Sequence, residues 1–208
     1  NYGADDNASG VGGLLEIAQY MADLKNTGRL VMKRDVLFGA WSGEELGLLG
    51  SGHFVQTAAG GKKDPVKLSP VISAYLNMDM IGRLDKSLVL QGVGSSSIWP
   101  EVIERQNIRV GLSIVPQKDS YLPTDATSFY LNGVPVLSAF TGAHGQYHTP
   151  GDTADRINYA GAERIVHLMA GITLSLANRD EAPDYIEAAK PAKGTSRGRL
   201  RVYLGTVP

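Results

Sequence analysis

The 208-residue chain contains no cysteine. That excludes disulfides, thiolate metal sites, iron–sulfur clusters and a cysteine nucleophile together. Any metal must therefore be held by His, Asp and Glu. An excess of charge is also missing, since 20 basic and 21 acidic residues leave a net charge of -1. Such a balance gives no electrostatic footprint for nucleic acid and no basic block for an anionic membrane. No run approaches the ~18 apolar residues of a membrane span. No signal peptide is visible, but the chain opens on Asn1 rather than Met, so that absence says little. No Gly-x-Ser-x-Gly elbow occurs either, which makes a Ser/His/Asp hydrolase a poor reading.

What is present suits a folded domain. Apolar residues make up 43% and charged residues 20%, enough to bury a core and to exclude a disordered or fibrous chain. Glycine is abundant, at 25 residues, and implies many tight loops. Val11 to Lys25 carries apolar residues at helical spacing, while Arg34 to Trp41 reads as a buried strand. A helix is expected from Glu44 to Ala59, then strands at Val71–Met78 and Ser87–Gln91. A helix at Trp99–Gln106, a turn-rich loop at Asp119–Thr124 and a short helix at Ala126–Leu131 follow. A strand at Val134–Phe140 and a long helix at Tyr159–Ala177 complete the pattern. Strands alternating with helices predict an α/β domain, with a mostly parallel central sheet and helices on both faces. Composition shifts after Asn178, so 1–178 is expected as the main domain and 179–199 as a linker. Residues 200–208 look like the first strand of a further unit.

Four clusters of oxygen and nitrogen ligands fall at expected strand ends, where α/β sheets bind ligands. They are Gly3–Gly10, Trp41–Glu45, Asn77–Gly82 and His144–Asp152. Each has an ordinary explanation taken alone. Asp5 and Asp6, or Glu44 and Glu45, suit a helix N-terminus. His148 suits a surface loop. Asp79 is harder to dismiss, because a carboxylate after so apolar a run is buried unless paired or bound to a metal. Four such clusters together weaken the ordinary explanations. Carboxylates with imidazole suit Zn²⁺. Two adjacent Glu residues divide labour, one facing a metal and one taking a proton from water within hydrogen-bond reach.

Gly-Ala-Asp-Asp-Asn-Ala-Ser-Gly, Ser-Gly-Glu-Glu-Leu-Gly-Leu-Leu-Gly-Ser, Asn-Met-Asp-Met-Ile-Gly and Tyr-His-Thr-Pro-Gly-Asp-Thr occur in that order. They resemble the successive signatures of the co-catalytic di-zinc aminopeptidase family, which also holds glutamate carboxypeptidases, glutaminyl cyclases and the transferrin receptor ectodomain. The resemblance implies the zinc-exopeptidase fold and a peptide substrate. It implies that Asp5 bridges two Zn²⁺ ions, with the Asp5–Asp6 peptide cis. Glu45 and His148 would complete one site and Asp79 would serve the other. Glu44 would be the general base, and Tyr121 would polarise the oxyanion. His144, four residues before His148, is a candidate for a supporting role.

The family's first zinc histidine lies in a His-x-Asp motif upstream of the Asp-Asp pair, which this sequence does not include. The 208 residues are thus expected to be a piece of a longer enzyme, holding one metal firmly. The tail from Arg199 resembles the opening of a PDZ-type module carried by some exported bacterial members, which also implies export. Two rivals stay open. A glutaminyl cyclase would need a single zinc, and a receptor-like module would need none.

Overall fold

The computed structural model describes residues 2–61, 67–69 and 71–188. Five helices and four strands organise them: α1 (Gly10–Asn26), α2 (Leu49–Ala58), β1 (Tyr75–Met78), β2 (Leu88–Gln91), α3 (Trp99–Val110), β3 (Ile114–Pro116), α4 (Ala126–Tyr130), β4 (Val136–Phe140) and α5 (Tyr159–Ala177). The strands form one sheet in the order β1-β4-β2-β3. β1 runs parallel to β4 and β2 to β3, while β2 and β4 are antiparallel. The sheet is mixed, with two of its three pairings parallel.

Side-chain alternation builds a layer on each face. Tyr75 and Val136 pair across β1 and β4 and belong to one core with Phe129, Tyr130 and Val55. Leu76 and Leu137, one residue on, pair toward the other core with Ile17, Trp99 and Ile165. Helices α2 and α4 thus cover one face, and α1, α3 and α5 the other. The α5 pattern places Ile165, Leu168, Met169 and Ile172 inside, and Asn158 caps its start by accepting from Gly161 N–H at 2.9 Å. Helix α3 starts with a proline in its first turn and ends at Gly111, whose φ of 66° suits a left-handed cap. Glycine also lets α1 approach β1 and α5. A Cβ on Gly10 would lie 2.3 Å from the Met78 carbonyl oxygen, and one on Gly13 2.9 Å from Val166.

Several boundaries differ from expectation. Residues 34–41 are not a strand, and among the described residues no backbone–backbone hydrogen bond forms from Asp35 to Trp41. The pleat is strand-like, because half-buried Met32, Arg34 and Val36 alternate with exposed Lys33, Asp35 and Leu37. A cavity of about 2130 Å³ is lined by this segment and by residues 71–80, and it extends to the acidic loops. Helix α2 starts at Leu49 rather than Glu44, since Gly43, Gly47 and Leu48 take left-handed φ values of 69°, 105° and 59°. β3 was not anticipated, being only three residues long.

Residues 180–188, expected within the linker, are tied to the domain. Asp184 accepts from Ser96 Oγ at 2.6 Å and Ser97 N–H at 3.0 Å, and Ile186 N–H donates to Ser95 at 2.8 Å. Tyr130 also holds this region, its carbonyl accepting from Tyr185 Oη and its own Oη from Ala188 N–H. The remainder of the expected linker and the strand at 200–208 lie outside the described residues. Among the described residues no helix is long and apolar enough to cross a membrane.

Candidate metal centre

The four ligand-bearing loops come together at the carboxyl end of β1. Residues Ala4–Ser9 wind tightly, but Asp6 and Asn7 leave helical geometry. The turn before α2 carries Glu44 and Glu45. Asp79 directly follows β1, and its N–H donates to the Ala139 carbonyl at 3.0 Å. His148 comes from the loop after β4 with a φ of 55°, a strained value for a residue with a side chain.

Three of these loops converge on one point. His148 Nε2 lies 2.6 Å from Glu45 Oε1 and 3.0 Å from Asp6 Oδ2. The ligand atoms of Asp6, Glu45 and His148 all lie within 4.8 Å of one another. Two carboxylates and an imidazole aimed at one point, with no thiolate in the chain, form a donor set that fits Zn²⁺.

The aspartate in this cluster is Asp6, not the expected Asp5. Asp5 is fully buried and turned the other way. Its Oδ1 accepts from Gly82 N–H at 2.6 Å and Ser9 Oγ at 3.0 Å, while Oδ2 meets His144 Nε2 at 3.1 Å. The cis peptide is likewise Asp6–Asn7 rather than Asp5–Asp6. His144 thus backs the loop through Asp5.

The acidic groups press on one another electrostatically. Glu44, half-buried one residue from Glu45, has its carboxyl pushed up to about 7, first by burial and then by Glu45, Asp125, Asp79 and Asp6. Asp79 is pushed up to about 6 by burial, then by Asp6, Glu45 and Asp125. Asp6 is raised as well, chiefly by burial and by Glu45, although His148 opposes the shift. Asp79 therefore feels the cluster, but its oxygens lie outside the convergent group of three. Asp125 adds a further carboxylate, and its Oδ1 is buried with no hydrogen-bond partner among the described residues.

Tyr121 is not brought to this cluster. Its ring packs edge-on against Tyr130 at 5.1 Å, and its hydroxyl donates to the Ala188 carbonyl at 3.5 Å. The tyrosine that faces the carboxylates is Tyr147. Its ring stacks on His148 at 3.7 Å, and burial with Glu45, Asp6, Asp79 and Glu44 pushes its phenol up to about 12. Tyr147 stands beside His148 in the quoted motif, so adjacency was the signal that could have found it. His53 and His167 are exposed on α2 and α5, away from the site.

The profile of peptidase family M28 matches residues 1–173. An aminopeptidase of Pseudomonas aeruginosa (strain UCBPP-PA14) is 28% identical over 226 aligned positions, covering 94% of this chain and 40% of that protein. The LapA aminopeptidase of Legionella pneumophila superposes with a TM-score of 0.70 at 21% identity, over 86% of this chain and 48% of that one. BSAP, a zinc aminopeptidase from Bacillus subtilis, gives 0.67 at 24% identity, over 89% and 45%. The chain spans about two fifths of the length of the Pseudomonas relative it matches.

Proposed function

The chain belongs to peptidase family M28, and from that premise we propose that the cluster is the metal centre of an aminopeptidase acting on peptides. The observation that carries the reading is the convergence of Asp6, Glu45 and His148 on one point. These three residues would hold one zinc, and Asp79 would serve a second ion shared with Asp6. Zinc, when bound, supplies Lewis-acid polarisation and makes water more acidic at neutral pH.

The remaining chemistry belongs to the chain. Glu44 takes a proton from the attacking water and delivers it to the leaving amine. A group titrating near neutrality suits both halves of that task. Tyr147, stacked on His148, stabilises the oxyanion with its hydroxyl, the role expected of Tyr121. The surplus of carboxylates favours an aminopeptidase. Asp125 and Glu44 add negative charge beyond the ligands, which attracts a peptide's terminal ammonium and repels a terminal carboxylate. The family resemblance also underlies the reading that the protein acts outside the cytoplasm. Fractionation of cells expressing the full-length protein tests that point.

Glu44→Gln tests the main assignment. Zinc affinity should stay within a few-fold of the unsubstituted protein, while turnover of an aminoacyl substrate falls at least ~10²-fold. Near-normal turnover in that variant rejects Glu44 as the base.

A further inference from the structure

Behind the ligand loop sits a residue that touches neither the convergent point nor the cavity. Asp152 is fully buried. Both of its oxygens accept from Asp5 N–H, at 3.1 and 2.9 Å, and Oδ2 also accepts from Asp6 N–H at 3.0 Å. Its backbone carbonyl accepts from Ala4 N–H at 3.2 Å. Three consecutive amides of the ligand loop are therefore pinned to one residue from the far end of the domain. Arg83 completes the arrangement. Its Nη2 donates to Asp152 Oδ1 at 3.0 Å, and its Nε lies 4.0 Å from Asp5 Oδ2. Burial works against the Asp152 charge, but the bonds from Asp6, Arg83 and Asp5 outweigh it and hold the carboxyl below its usual range.

Asp152 also lies four residues after His148 in the same loop. One loop thus carries an imidazole of the cluster and, behind it, the carboxylate that grips the backbone of the opposing ligand. We propose that Asp152, braced by Arg83, is a positioning residue that fixes the aim of the Asp6 carboxylate relative to His148. Freeing the Asp5 and Asp6 amides would let the loop turn, and the contact of 3.0 Å between Asp6 and His148 would no longer be enforced. Removing such a supporting partner typically weakens metal binding by about 10–100-fold.

This inference rests on the metal-centre reading, and the test separates the two. Asp152→Asn keeps the shape but turns an amide toward donors that need an acceptor. Zinc affinity of the 208-residue chain is measured by competition with a chromophoric chelator, and the visible spectrum of the Co²⁺-loaded chain is recorded. Asp152→Asn is expected to weaken zinc at least about 10-fold and to change the Co²⁺ spectrum. Ser95→Ala, remote from the loop and destabilising through Trp99 and Val136, serves as control and should leave the spectrum unchanged. Should Asp152→Asn fail to fold, Arg83→Lys takes its place, with an expected loss of at least about threefold on the same scale. Unchanged affinity and spectrum in the folded variant overturn the positioning role alone. Failure of the unsubstituted chain to bind zinc overturns both it and the metal-centre reading.

Discussion

Asp5 and Asp6 carry the same side chain, one residue apart, and meet opposite environments. Asp5 is enclosed by donors and Asp6 by other carboxylates. Their substitutions should therefore separate stability from metal binding. Asp5→Ala strands the buried Gly82 N–H, which costs about 1–3 kcal/mol in urea unfolding with chelator present. Asp6→Ala removes a carboxyl whose charged form is disfavoured by burial and Glu45, so unfolding should be unchanged or harder. The same variant should lose zinc affinity by at least about 10-fold, because a ligand is gone. Equal zinc affinity in Asp6→Ala would restore Asp5 as the ligand. The motif revealed the chemistry of this loop and not its phase. No periodicity orients a six-residue turn, so only the backbone decides which of two adjacent acids faces the metal. The motifs did bring Glu45 and His148 to one point, with Glu44 beside them and Asp79 directly after β1, whereas Tyr121 and Tyr147 both stood in loops and chain order alone could not rank them.

Elements with a full apolar stripe were legible. Helix α5 spans Tyr159–Ala177, the range expected, because its buried face recurs at helical spacing and Asn158 caps it. Residues 34–41 were misread because an apolar alternating run states which side chains turn inward but not whether a neighbouring strand is present to bond the backbone. The segment at 180–188 was misread for the converse reason. Its composition is that of a linker, but Asp184 finds the Ser96 and Ser97 donors just before α3. Those bonds, led by Ser96, hold the Asp184 carboxyl below its usual range. A lowered carboxyl contributes above its unfolded value of ~3.9 and stops contributing as pH falls through the folded value. Hydrogen exchange at Ile186 N–H, bonded to Ser95 at 2.8 Å, should therefore stay protected at neutral pH and lose protection, relative to the intrinsic rate at the same pH, below about pH 4. Asp184→Asn should accelerate it about tenfold at pH 7 already, roughly the loss of one hydrogen bond to a charged group. Equal protection in the variant would mean that the tyrosine contacts alone dock this segment.

At the scale of the whole molecule, the acidic loops are a cost that the two cores bear. Burial and mutual repulsion raise Glu44, Asp79 and Asp6 together, so each disfavours the metal-free fold when ionised. The cost is concentrated where the sheet's loops meet, while Trp99, Tyr130, Leu137 and Ile165 are buried completely on either side. A cation bound at that junction stabilises only the folded chain, because the ligands come from loops far apart in sequence. Free zinc at 100 times its dissociation constant adds about 2.7 kcal/mol. For a chain of this size, roughly 2–4 °C of melting temperature accompany each kcal/mol, so a rise of about 5–11 °C is expected. Chelator should reverse it, and calorimetry with and without zinc reads both steps. The metal-free receptor-like rival predicts no shift at all. A single-zinc centre predicts the shift with one ion bound per chain, whereas the shared role given to Asp6 and Asp79 predicts a second ion once both sites are filled. Metal analysis of the intact protein after removal of loosely held zinc therefore decides between them, and one ion per chain there would remove Asp79 from the ligand set.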